Sequence, residues 1–262
     1  MASVTERIGQ IKQPYGGYLR LSEFEKIQRN DGVTLHLSEN ISGSLVGLAV
    51  DYLTRLYFTG GDRVKVFSIS LRGAVAADML FGFTDAVDVF KNLIVNVRSF
   101  YDDESIANVC RLASFDVYYR NPFAAAHSEG YASVKPDTAT IQNIRTLAER
   151  SISFFKDYGP VRATDFTFEP SGYTETVNTG DGDFLTSNTL WDMKVYRGRL
   201  TSKHTLQILM YWVMGKHSGQ EIFSDITKIG LYNPRSNTAY ILDTGKILEE
   251  VIKTVEDEII CY

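Results

Sequence analysis

At Val161 the hydrophobic pattern of this chain changes period. Apolar residues recur at helical spacing up to Tyr158, and alternate at period two after it. A chain with one such switch has to build both a block of helices and a sheet, and the segments after the switch decide the architecture. Residues 161 to 168, 172 to 179, 183 to 186 and 189 to 195 read as strands rich in Thr, Val, Phe and Tyr. A helix over 205 to 214 follows, then a hairpin of 226 to 232 and 238 to 242 around Asn233-Pro-Arg-Ser-Asn237, then an acidic amphipathic helix over 246 to 259. Strands, helix, strands, helix implies an α/β (α+β) fold, a mixed central sheet flanked by helices.

Upstream, Ser42-Gly-Ser44 opens a helix with Leu45, Leu48, Ala49, Tyr52, Leu53 and Leu56 on one stripe, closed by Gly60-Gly61. Asp51 sits inside it, a poor helix former that is either solvated or pointed into a site. Helical spacing also covers 67 to 83, 84 to 101, 104 to 115 and 141 to 158, the last ended by Gly159-Pro160. Residues 1 to 37 read as a lead-in with a turn. The whole is expected to be one domain over 1–262: a first core helix (38–61), a helical insertion (62–160), the sheet with its helix (161–245) and a C-terminal helix (246–262).

No long uncharged apolar run and no apolar leader are present, so the expectation is a cytoplasmic protein with no membrane partner. Cys110 and Cys261 lack Cys-x-x-Cys spacing, which excludes a Cys-rich zinc or iron-sulfur framework. A net charge of −5 excludes coating nucleic acid by bulk charge but leaves room for a local basic groove. Arg197, Arg199 and Lys203 form such a cluster, which suits a phosphate backbone.

The stretch from Asp181 to Tyr211 carries the chemistry. A short turn at Ser187-Asn188 sets Asp183 opposite Asp192, with Cβ atoms about 5 Å apart. Two carboxylates there repel unless a cation or a shared proton relieves them. Lys194 lies on the same face and Met193 on the opposite one. An ammonium at that place holds or deprotonates a water and offsets charge growing on an attacked phosphate. Asp181 falls opposite Lys194; it is a supporting partner, or the ligand itself if a bulge at Gly182 exchanges it with Asp183. Oxygen ligands favour Mg²⁺ or Mn²⁺. None of His36, His127, His204 and His217 forms a ligand pair at helical spacing. Gln207 and Tyr211, four apart, share a helix face whose packing side is Leu206, Leu209, Met210 and Val213. Trp191 and Tyr196 either stack on bases or belong to the core.

In this order, Asp, turn, Asp-x-Lys, then a helix with Gln-x-x-x-Tyr, the residues resemble the PD-(D/E)xK nuclease superfamily, most closely its RecB-like branch. The resemblance covers the first helix and residues 161 to 242. It implies a restriction-endonuclease-like sheet and Mg²⁺- or Mn²⁺-dependent hydrolysis of phosphodiester bonds, with DNA favoured over RNA. Asp183 and Asp192 match the metal-binding acids, Lys194 the catalytic lysine, and Gln207 and Tyr211 the helix motif; Met193 would lend its backbone carbonyl to the metal. The family's first helix often adds an acid or a histidine. Here Gly47 stands where the histidine would, and Asp51 is the acid one turn later. Asp192 replaces the commoner Glu, and the four cluster cysteines of the CRISPR-associated relatives are missing.

Some members keep the fold without activity, so a nucleic-acid- or protein-binding module on a nuclease scaffold is the second reading. A third is a protein partner docking on the helical block or on the acidic C-terminal helix. Defence against foreign DNA and processing of phage DNA both accommodate this chemistry.

Overall fold

The computed structural model describes residues 2–127 and 130–262. In chain order its strands are β1 (Ala2–Ser3), β2 (Glu25–Gln28), β3 (Ala163–Phe166), β4 (Val177–Thr179), β5 (Gly182–Leu185), β6 (Thr189–Met193), β7 (Lys228–Asn233) and β8 (Thr238–Asp243). Its helices are α1 (Val4–Gln10), α2 (Gly43–Phe58), α3 (Arg63–Val66), α4 (Ser68–Phe81), α5 (Ala86–Val95), α6 (Asp103–Ala113), α7 (Asp116–Arg120), α8 (Pro122–Ala125), α9 (Thr138–Tyr158), α10 (Ser202–His217) and α11 (Glu249–Thr254). None of the described helices is long and apolar enough to cross a membrane. Two compact units result: Met1–Asn30 with Phe154–Tyr262, and Asp31–Ser153.

The first unit holds a six-stranded mixed sheet in the order β2-β8-β7-β6-β5-β3, with β6 and β7 parallel and every other pair antiparallel. Alternation along the strands sorts the two faces. Leu185, Leu190, Ile229, Leu231 and Leu242 join a core with Leu206, Leu209, Met210 and Val213 of α10. Phe184, Trp191 and Tyr232 point the other way, against Phe154 and Phe155 in the last turn of α9; Phe154 stacks on Tyr232 with centroids 3.9 Å apart. Gly230 lets the Trp191 ring lie on the sheet, since a Cβ there would sit 2.3 Å from that ring.

Two sequence expectations need correction. The lead-in contains α1 and the edge strand β2, and β2 pairs with β8 from Glu25↔Ile241 to Gln28↔Thr238. Only Val177–Thr179 of the strand expected over 172 to 179 forms, and it pairs in parallel with β1, outside the main sheet. Thr174 leaves the strand path because its hydroxyl donates to the Ile260 carbonyl at 2.6 Å.

The C-terminal segment, expected as an acidic amphipathic helix over 246 to 259, packs its apolar face into the core. After α11 it continues as a π-helical turn, Val255–Ile260, which buries Val255, Ile259 and Ile260. The Arg7 side chain donates to the carbonyls of Ile259 and Glu258, each at 2.8 Å.

The second unit is helical, as expected for the insertion, but it also contains α2, which the sequence grouped with the sheet. Helix α2 buries Val46, Ala49, Val50, Tyr52, Leu53 and Leu56. A polar knot lies in this core. Asp116 accepts from Tyr52 at 2.6 Å and from Ser70 at 2.7 Å, and its burial pushes the carboxyl pKa up against those two bonds. At one end of the unit Arg150 grips Asp31 with two side-chain bonds, of 2.6 and 2.8 Å, and donates to the Val33 carbonyl.

Candidate metal centre

The β5–β6 ladder pairs Leu185 with Leu190 and Phe184 with Trp191, so one step further brings Asp183 level with Asp192. On its other edge β5 pairs Ala163↔Leu185, Thr164↔Phe184 and Phe166↔Gly182 in unbroken register. Gly182 therefore carries no bulge, and it is Asp183, not Asp181, that opposes Asp192. Of the positive-φ residues nearby, Asp165 at φ 52° falls on β3 and Gly180 at φ 156° precedes β5. Asp183 is tied in place by the backbone N–H of Met193, which donates to its Oδ2 at 2.7 Å.

Strand β6 is paired on both sides and buried along its length, which puts Asp192 at only 1% exposure. Its Oδ1 meets Lys194 Nζ at 2.9 Å. Its Oδ2 is buried and has no protein hydrogen-bond partner among the described residues. The Lys194 ammonium also donates to Gln207 Oε1 at 2.9 Å, and Gln207 Nε2 donates to the Tyr211 hydroxyl at 2.9 Å. Sheet face and helix face are thus joined through a relay from Asp192 to Tyr211.

The charges reinforce this arrangement. Burial draws the Lys194 pKa down, but Asp192 and Asp183 outweigh it and the net shift is upward, so the side chain stays an ammonium. Tyr211 is pushed well above the usual phenol range, first by burial and then by Asp192, Asp183 and Asp181, and stays neutral. His204 is lowered by burial and by Lys194, with Asp192 opposing.

A buried carboxylate oxygen without a partner is costly unless a cation or a donor reaches it. Asp192 Oδ2 beside Asp183 fits a hard divalent ion that takes oxygen ligands. Among the described residues, no group of three or more His, Cys, Asp or Glu side chains is placed to share a metal. The remaining ligands would then be the Met193 carbonyl, water and substrate oxygens, as Mg²⁺ commonly accepts. Asp51, the candidate acid from the first helix, belongs to the helical unit and is ion-paired with Arg55 at 2.8 Å. It is one helical position among residues that pack with its own unit, which periodicity alone does not reveal.

Arg197 and Arg199 are exposed on the segment between β6 and α10, and Lys203 is exposed in the first turn of α10. Asn233 anchors that segment by donating to the Tyr196 carbonyl at 2.7 Å. Tyr196 is 47% exposed and open to stacking, whereas Trp191 is fully buried with its indole N–H on Thr186, so it is a core residue. The lead-in buttresses the start of α10: Thr205 donates to the Leu19 carbonyl at 2.7 Å. His204 is the group that metal-ligand spacing passed over. Its signal was its place three residues before Gln207 and three after Thr201, the spacing of a helix cap. No family model, no curated protein and no solved structure matches the chain.

Proposed function

We propose that this protein is a Mg²⁺- or Mn²⁺-dependent phosphodiesterase that cleaves nucleic acid, DNA in preference to RNA. The observation that carries the reading is Asp192: buried, opposed by Asp183, with one oxygen on Lys194 and the other without a hydrogen-bond partner among the described residues. Asp183, Asp192 and the Met193 carbonyl would hold the ion. When bound, such an ion polarises a phosphate and lowers the pKa of its water. The chain's own part is positioning. Asp192 and Gln207 fix the Lys194 ammonium where it can orient a water and offset charge on the attacked phosphate. Tyr211 holds the Gln207 amide in the matching orientation. Arg197, Arg199 and Lys203 would hold the strand's backbone through charge.

The test is calorimetric titration of the metal-free protein with Mn²⁺, beside cleavage assays on single- and double-stranded DNA and RNA. Asp192→Ala and Lys194→Ala should each abolish cleavage with the fold intact, and cleavage retained by both refutes the assignment. One observation favours the second reading, a binding module without catalysis: no third acidic or histidine side chain joins the pair among the described residues. That reading expects nucleic acid or a protein to bind with neither Mn²⁺ uptake nor cleavage.

A further inference from the structure

We infer that His204 contacts the substrate at this centre, donating its Nε2–H to a phosphate oxygen of the bound strand; this rests on the phosphodiesterase reading above. His204, Gln207 and Tyr211 occupy positions i, i+3 and i+7 of α10 and so share one helix face. Gln207 and Tyr211 already belong to the relay that reaches Asp192.

The tautomer follows from a hydrogen bond. The Thr201 backbone N–H donates to His204 Nδ1 at 2.9 Å. A backbone amide has no other role, so Nδ1 carries the lone pair and the neutral ring holds its proton on Nε2. Both bonds to the ring, from the Thr201 N–H and the Thr201 hydroxyl, fall on Nδ1; among the described residues Nε2 has no hydrogen-bond partner. The ring leans on Tyr196, centroids 5.6 Å apart, and so borders the segment that bears Arg197 and Arg199. It also lies within electrostatic reach of both Lys194 and Asp192. A neutral donor between the ammonium and the basic segment can hold a phosphate oxygen without adding charge.

The competing explanation is that His204 serves only as the helix cap. In that role Glu or Gln is the usual third residue, and either preserves the acceptor for the Thr201 N–H. This separates the two roles. His204→Glu keeps the cap but has no donor, His204→Gln keeps cap and donor, and His204→Ala keeps neither. The three variants and the wild type are compared for thermal unfolding, Mn²⁺ affinity, Mn²⁺-dependent cleavage of single-stranded DNA, and affinity for the same oligonucleotide with Ca²⁺ replacing Mn²⁺.

Glu and Ala should lower kcat/KM by about 10- to 100-fold, the loss of one hydrogen bond to a charged group, and Gln should restore most of it. Mn²⁺ affinity should stay at the wild-type value in Ala and Gln, and the unfolding temperature should hold in Glu and Gln. A His204→Glu protein that cleaves and binds DNA as the wild type does overturns the inference and leaves the phosphodiesterase reading standing. A wild type that takes up Mn²⁺ and binds DNA but cleaves none overturns that reading. In that case oligonucleotide affinity judges His204, and an unchanged value in His204→Glu overturns it as well. A wild type that neither cleaves nor binds nucleic acid overturns both.

Discussion

Lys194→Met gives the most direct test of the charge arrangement, because it needs no substrate. The substitution keeps the length of the side chain and removes the ammonium. Asp192, 1% exposed, then loses its only described counter-ion while Asp183 stays opposite. Breaking a buried pair by removing one partner costs about 3 to 5 kcal/mol. Lys194 retains 20% side-chain exposure, so water relieves part of that and the lower end, about 3 kcal/mol, applies. For a protein of this size that is about 10 °C in Tm. A divalent ion supplies the missing positive charge, and at about 100 times its Kd it returns roughly 2.7 kcal/mol. Thermal unfolding followed by circular dichroism, in EDTA and in Mn²⁺, reads both effects. Lys194→Met should melt well below wild type in EDTA, recover most of the gap in Mn²⁺, and show a larger Mn²⁺ shift than wild type. An equal deficit in both buffers, or none in EDTA, would refute the reasoning.

Other expectations concern the scaffold. Arg150 holds the Asp31 carboxyl at about 2, below its unfolded value of 3.8, so the pair's contribution is full above 3.8 and is lost as pH falls toward 2. Asp31→Asn should therefore cost about 1 kcal/mol near neutral pH, discounted for the solvent exposure of Asp31, with the deficit fading in acid; urea unfolding across that range checks it. Gly230→Ala drives a methyl into the Trp191 ring and should lower stability by about 2 kcal/mol, with a changed near-UV spectrum; an unaltered Tm contradicts the packing described. Deleting residues 249–262 exposes the apolar seat of Val255, Ile259 and Ile260 and should leave the chain insoluble or unfolded, whereas a soluble truncation melting at the wild-type temperature would show the segment to be dispensable.

What the sequence disclosed depended on how strongly each element announces itself. Helix α10 and the pair β5–β6 read clearly because a buried strand and a helix on the sheet must be apolar in step with their own periods. The opposition of Asp183 and Asp192 followed from a short turn and a strict alternation, and the register agrees with it. Strand β2 was silent: Glu25-Lys26-Ile27-Gln28 is a largely exposed edge strand, where charges guard the free edge and no alternation is needed. The docking of the C-terminal helix was equally hidden. Its acidic residues fall on the exposed face, and its anchor is Arg7, at the far end of the chain. Asp51 shows a further limit, since helical spacing tells which face is buried but not that Arg55, one turn on, pairs with its carboxylate.

The junction between the two units has an entropic consequence. In the sheet unit, Arg29 pairs with Asp157 and lies over the Phe154 ring, so the points where the chain leaves and returns are held together. In the helical unit, Asp31 and Arg150 do the same for its own two ends. Each side of the junction closes its own loop, and loop closure is a cost that grows only slowly with the length enclosed. By this reasoning, a change in the length of the chain between Asn30 and Phe154 adds little to the closure cost on the sheet side.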